Sequence, residues 1–202
     1  MRKVFHQPVP ITSPAKFKEI DNRRKEINRL NRQRAKAMEK RVARYLDGTQ
    51  TPQSGAGSAK GDILIDFTNR PGKYMIECKM SAVRDKGVPM MQLLKKWIPK
   101  MNKDASAMRA QFPILVIHYH EVSGDWVIVE MPHLHKIGVF PAVIDPTEPQ
   151  VFHYDTLAKA AKIHLPQAKQ ANNRPYYSLL SIDSVLYYFM TLEYFKDIMK
   201  EI

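Results

Sequence analysis

The chain has 202 residues, 44% of them apolar and 26% charged, the proportions of an ordinary soluble globular protein. That length suits one domain with a real hydrophobic core plus an appendage, and is marginal for two full domains. A formal net charge of +12 and a pI near 9.7 favour a polyanionic partner, either nucleic acid or an anionic membrane surface, but also fit a protein that is merely basic. The single cysteine, Cys78, excludes an internal disulfide and fits a reducing compartment. No apolar stretch follows the N-terminal charges, so no secretory signal is expected. The longest apolar runs, 114–119 and 184–190, are too short to span a bilayer, and the expected location is the cytoplasm.

Residues 1–14 carry three prolines and read as an N-terminal arm. From 15 to 46 there is no Pro or Gly, and a long helix, single or in tandem, is predicted after the Ser13-Pro14 start signal and before the Asp47-Gly48 stop. Residues 49–62 form a polar loop rich in Gly and Ser. Short strands are predicted over 63–67 and 74–80, joined by the turn Asn69-Arg70-Pro71-Gly72 as a hairpin. Residues 90–110 read as a helix that Pro99 should kink or split. Strands at 114–120 and 126–130 follow, with Ser123-Gly124-Asp125 as the turn. The order predicts a mixed α/β core over 15–130. Residues 131–202 read as a C-terminal extension, with helices expected at 156–164 and, rich in aromatics, at 184–202.

The strongest local signal is Glu77-Cys78-Lys79. Strand residues two apart share a face, so Glu77 and Lys79 stand together while Ile76, Cys78 and Met80 face the other way. Taken alone, the tripeptide also fits an ion pair at a sheet edge. Asp62 opens the preceding strand, and a hairpin would bring it beside Glu77. Two carboxylates converging next to a lysine repel each other unless a cation lies between them. Mg²⁺ takes oxygen ligands, usually one or two carboxylates with water and phosphate completing the shell. On a helical wheel Glu39 falls within the apolar arc of Ala35, Val42, Ala43 and Leu46, opposite Arg34, Lys40, Arg41 and Arg44. It therefore points toward the sheet, unless a small rotation lets it pair with Lys36.

This order of helix glutamate, Gly/Ser loop ending in aspartate, hairpin with Glu-X-Lys, helix and strand resembles the PD-(D/E)XK nuclease superfamily. The segment from Glu39 to Lys79, EKRVARYLDGTQTPQSGAGSAKGDI through YMIECK, is similar to archaeal-type Holliday-junction resolvases and related phage and prophage endonucleases. The resemblance covers about residues 36–130 and departs at Gly61, where the motif has proline. It implies a restriction-endonuclease-like core and a Mg²⁺- or Mn²⁺-dependent deoxyribonuclease. Asp62, Glu77 and the backbone carbonyl of Cys78 would be metal ligands, Lys79 the catalytic lysine, and Glu39 the additional helix carboxylate. It also implies a homodimer acting on DNA, branched DNA included, in a bacterial or phage-infected cell. An exonuclease, a repair or restriction-like nuclease, and a non-catalytic DNA-binding protein remain alternatives on the same core.

In the loop before Asp62, Ser54 and Lys60 are the candidate substrate contacts, because small residues let backbone N–H groups approach phosphate. Basic clusters lie on the first helix, Arg41 and Arg44 among them, and on the second, where Lys95 and Lys96 lead Lys100 and Lys103. Contacts of this kind give affinity and salt sensitivity rather than sequence reading. His118, His120, His133 and His135 make a zinc site conceivable, but no cysteine joins them. The aromatics of the C-terminal region, from Tyr176 to Phe195, read as core or subunit interface before base-stacking groups.

Overall fold

A computed structural model describes residues 14–51, 61–67, 72–81, 90–119, 124–139, 151–153 and 177–200. The first helix, α1, runs Pro14–Tyr45 without a break. Its C-terminal half packs Met38, Val42, Ala43 and Leu46 into the core at helical spacing, while 18–30 are exposed. The helix ends where Asp47 takes a left-handed conformation (φ 58°) and the Gly48 N–H reaches the Ala43 carbonyl. Gly48 itself is required by space: a Cβ there would lie 2.8 Å from Cγ2 of Ile63.

Strands β1 (Thr49–Gln50), β2 (Ile63–Ile65), β3 (Tyr74–Met80), β4 (Phe112–His118), β5 (Trp126–Glu130), β6 (Val151–His153), β7 (Tyr177–Ile182) and β8 (Val185–Thr191) form one sheet in the order β1-β2-β3-β4-β5-β8-β7-β6. The β3–β4 and β6–β7 pairs are parallel and the others antiparallel. The β3–β4 crossover contains α2 (Met90–Ala107). One face of the sheet buries Ile63, Ile76, Val116 and Val127 against α1 and a C-terminal helix, α4 (Leu192–Lys200). The other buries Met75, Leu115, Ile117 and Ile128 against Leu94, Ile98 and Met101 of α2. A short helix, α3 (Met131–Lys136), follows β5. The fold is thus a mixed α/β sheet flanked by helices, with the long N-terminal helix that the sequence predicts. Among the described residues no helix is long and apolar enough to cross a membrane.

Three expectations change. Pro99 neither splits nor ends α2, because it sits on the exposed face and the buried row Leu94, Ile98, Met101 and Ala105 anchors the helix on both sides of it. Residues Thr49 and Gln50, expected in the loop, add a short edge strand to β2. The expected C-terminal helical extension is instead mostly sheet. The run Val185–Thr191 is aromatic and β-branched and pairs with both β5 and β7. Asp183 and Ser184, at φ 48° and 67°, make the two-residue hairpin turn before it. Helix begins only at Leu192. The expected helix at 156–164 lies outside the described residues.

Tyr187, Tyr188, Phe189, Tyr194 and Phe195 are all buried, so these aromatics belong to the core. Residues 177–200 therefore complete the sheet and core that 14–139 begin. Truncating Phe195, 0% exposed, to Ala should cost about 3–5 kcal/mol in urea unfolding; a loss under about 1 kcal/mol would mean that α4 does not pack as described.

Candidate active site

The β2–β3 ladder pairs Ile63 with Ile76, which sets Asp62 opposite Glu77 one step further along. The Asp62 N–H donates to the Ile76 carbonyl at 3.1 Å, and the Asp62 carbonyl accepts from the Thr51 N–H at 3.0 Å. Thr51 Oγ1 also donates to the Gly61 carbonyl. Asp62 is thus fixed from both sides, and its Oδ2 accepts the Cys78 N–H at 2.7 Å.

Glu77 is buried, its side chain 3% exposed. Lys79, two residues on and on the same face, donates to its Oε1. Lys100 of α2 lies 3.4 Å from the same oxygen and 3.5 Å from Oδ2 of the buried Asp104. Glu77 Oε2 is buried with no hydrogen-bond partner. Beside this group a cavity of about 520 Å³ is lined by Asn31, Arg34, Glu39, Asp62, Lys79 and His118, with Cys78 and Ser81 in its wall.

The electrostatics are those of crowded negative charge. Burial and then the neighbouring Glu77 push the Asp62 carboxyl up to about 7, with Glu39 adding to the rise; the Cys78 N–H and Lys79 oppose it. Burial, then Asp62, Glu39, Glu77 and Asp125, push the Cys78 thiol up, so it is no thiolate ligand. Burial alone would lower the Lys100 ammonium, but Glu77 and Asp104 outweigh it and raise it.

These residues fit a hard divalent cation. The raised proton affinity of Asp62, the second carboxylate beside it and an unpartnered buried oxygen are what such an ion would relieve. Asp62 and Glu77, with the Cys78 carbonyl, would hold it. Among the described residues no three His, Cys, Asp or Glu side chains converge tightly enough to hold an ion by themselves, so water or substrate oxygens would complete the shell. Glu39 lines the cavity, and its charge is felt at Asp62. The zinc alternative gains nothing: His133 faces Glu130 at 3.6 Å and His135 bonds the Tyr188 hydroxyl at 2.8 Å. His120 lies outside the described residues.

The four acidic and basic residues predicted as catalytic, Glu39, Asp62, Glu77 and Lys79, are therefore brought to one place. The proposed substrate contacts are more dispersed. Arg44 and Lys96 are exposed, and Lys95 lies 3.2 Å from Asp183. Arg41 is engaged within the protein, in a bidentate bond to Asp125 (2.8–3.0 Å). Ser54 and Lys60 lie outside the described residues. Three groups were missed by the sequence reading. Arg34, placed by the wheel on the opposite arc, lines the cavity, as does Asn31. The row Asn31, Ala35, Glu39, four residues apart, is the signal that could have found that wall. Lys100 was read only as one of a surface cluster.

Gly61, where the resembled motif has proline, has a steric reason. A Cβ there would meet Cγ of the fully buried Met75 and lie 2.7 Å from its Sδ. The Gly61 N–H, which proline lacks, also points at Met108 Sδ (3.1 Å). Comparison with known proteins finds no family model, curated protein or solved structure that matches this chain.

Two outcomes follow from this geometry. Gly61→Ala should destabilise the fold by about 1–3 kcal/mol in urea unfolding, through overpacking against Met75; an unchanged midpoint would mean that Met75 swings aside freely. Asp62 holds its proton more tightly folded than unfolded, so its contribution to stability is present at low pH and lost as pH rises from the ordinary carboxylate range to about 7. In EDTA, melting curves between pH 5 and 8 should show wild type losing stability relative to Asp62→Asn. Mg²⁺ should restore it more at pH 8 than at pH 5. Parallel curves for the two proteins would refute the raised proton affinity.

Proposed function

We propose that the protein is a divalent-metal-dependent DNA endonuclease on a restriction-endonuclease-like, PD-(D/E)XK core. The observation that carries this reading is the buried Glu77, sharing a strand face with Lys79, paired across the hairpin with Asp62, beside a cavity that Glu39 also lines. The topology supports it too: an antiparallel hairpin carrying the carboxylates, then a helical crossover to a parallel neighbour.

Each side chain has a distinct task. Asp62 and Glu77 supply anionic oxygens, with Glu39 as a further carboxylate at the cavity wall. When bound, Mg²⁺ or Mn²⁺ polarises the scissile phosphate and acidifies a water. Lys79, bonded to Glu77, is an ammonium with donors only. It orients the nucleophile and offsets charge developing on the phosphorus oxygens. Arg34 and the exposed basic residues of α1 supply the positive surface along which a phosphate backbone would lie. Neither carries base-specific information by charge alone, which favours selection by DNA structure, as in a junction resolvase. The described residues form one such site, and opposed cuts on two strands call for a homodimer. A cytoplasmic location fits this substrate.

The test is nicking of four-way junction, flap, single-stranded and linear duplex DNA with Mg²⁺, Mn²⁺ or EDTA. Cleavage should require the cation. Lys79→Ala should lower it by about 10²–10³-fold, and Asp62→Ala should abolish it, with DNA binding retained in both. DNA binding without cleavage under every condition would leave a non-catalytic binding protein on this core. Release of mononucleotides from ends, with closed circles untouched, would make the enzyme an exonuclease.

A further inference from the structure

A second set of side chains, separate in sequence from the carboxylates and lysine, converges on the same cavity. His118 is the last residue of β4, and the β3–β4 register places it beside Met80, just past Lys79. Its Nδ1 lies 3.0 Å from Oδ1 of Asp125. Asp125 is largely buried, its side chain 11% exposed, and Arg41 of α1 clamps it with two nitrogens at 2.8–3.0 Å. A helix, a strand end and a hairpin turn are thus joined through one carboxylate to fix one imidazole. Among the described residues the other ring nitrogen, Nε2, has no hydrogen-bond partner. His118 lines the cavity with Glu39, Asp62 and Lys79.

An ion pair built only for stability would not need this arrangement. Arg41 alone satisfies Asp125 in the bidentate geometry that suits a guanidinium. The histidine adds a partly exposed ring, 39% accessible, that lines the cavity. A carboxylate accepting Nδ1–H fixes the neutral tautomer and leaves Nε2 as the acceptor. It also stabilises the imidazolium that forms when Nε2 takes a proton. The proposed reaction needs such a group. Lys79 donates to Glu77 and has no lone pair to offer, and Asp62 and Glu77 are committed as ligands.

Resting on that nuclease reading, we propose that His118 is a further catalytic residue, the proton acceptor for the attacking water, with Asp125 and Arg41 as its positioning residues. In the step, one O–H bond of the water breaks and its oxygen bonds to phosphorus. The phosphorus–ester oxygen bond opposite breaks. The proton goes to His118 Nε2, and the departing alkoxide takes a proton from solvent. The charged groups around the ring are Asp125 with Arg41 behind it, Glu39 and Arg34 from α1, and Asp62 and Lys79 in the rest of the cavity wall.

Because Asp62, raised by burial and Glu77 to about 7, would shape any pH profile near neutrality, the deciding test is chemical rescue rather than a pH profile alone. His118→Gly should lower kcat for nicking by about 10²–10⁴-fold with little change in KM. Added imidazole should restore part of the rate, and a series of substituted imidazoles should restore more as their basicity rises. Asp125→Asn should lower kcat less, and its activity should not respond to imidazole. Melting temperatures and junction binding of both variants establish that they are folded. A His118→Gly enzyme as fast as wild type, or a folded one that no imidazole rescues, overturns the assignment while leaving the nuclease intact. If wild type itself cleaves no DNA with any cation, the nuclease reading fails first, and this one with it.

Discussion

The structure turns on one carboxylate held where water cannot reach it. A buried ion costs several kcal/mol of lost hydration, and only close, well-directed countercharge offsets that. Glu77 has such countercharge on one oxygen only, from Lys79 on its own strand and Lys100 across the α2 contact. Its other oxygen has none, and the hairpin register sets a second carboxylate opposite. A fold selected for stability alone would place an apolar side chain here, as it does at Met75 on the same face of β3. Retaining the charge makes sense if something else completes the group, which is the general reason perturbed carboxylates cluster at functional sites.

The fold explains why this charge sits where it does. Five consecutive residues of β3, from Tyr74 to Cys78, are buried because helices cover both faces of the sheet. Polar chemistry can emerge only toward the strand's C-terminal end. There the parallel β3–β4 pair runs out at Met80 and His118, and the Ser81 N–H takes the His118 carbonyl in place of further ladder. Crevices at the carboxyl ends of parallel strands are where open α/β sheets place ligands. α1 passes over this end, bringing Asn31, Arg34 and Glu39 to the cavity, and the Arg41–Asp125 bond ties it to the β4–β5 turn.

The parts of this arrangement set by short-range pattern were legible in the sequence. The two-residue repeat of a strand put Glu77 and Lys79 on one face, opposite Ile76, Cys78 and Met80. The wheel that placed Glu39 among Val42, Ala43 and Leu46 matches the buried face of α1. What stayed hidden depends on distant partners. The C-terminal aromatics fit a helical stripe as well as a strand, and only pairing with β5 and β7 decides for strand. Arg41 reads as a surface cation until its partner, 84 residues away, is known. His118 likewise looks like a solvated strand end until Asp125 is brought to its ring. The wheel misplaced Arg34 because a cavity wall spans more of a helix's circumference than a packed core stripe does.

The +12 charge acquires a location from the same geometry. The cavity sets the carboxylates of Glu39 and Asp62 against the cations of Arg34 and Lys79, so its own charges largely offset one another. Cation binding there would make it positive, but approach of a polyanion also needs attraction over a longer range. On the proposed reading, α1 suits that task. Its C-terminal half is pinned by Met38, Val42 and Leu46, while 18–30 stand exposed, even at Ile20, Ile27 and Leu30. Some of its charge is spent within the helix, in the pairs Lys25–Asp21 and Arg29–Glu26. Such exposed pairs contribute little to stability, so the basic residues around them have no structural account in the core. On the proposed nuclease reading, a positive rail leading past Arg34 to the cavity would give them one: the rail would draw in a phosphate backbone, and the cavity would act on it.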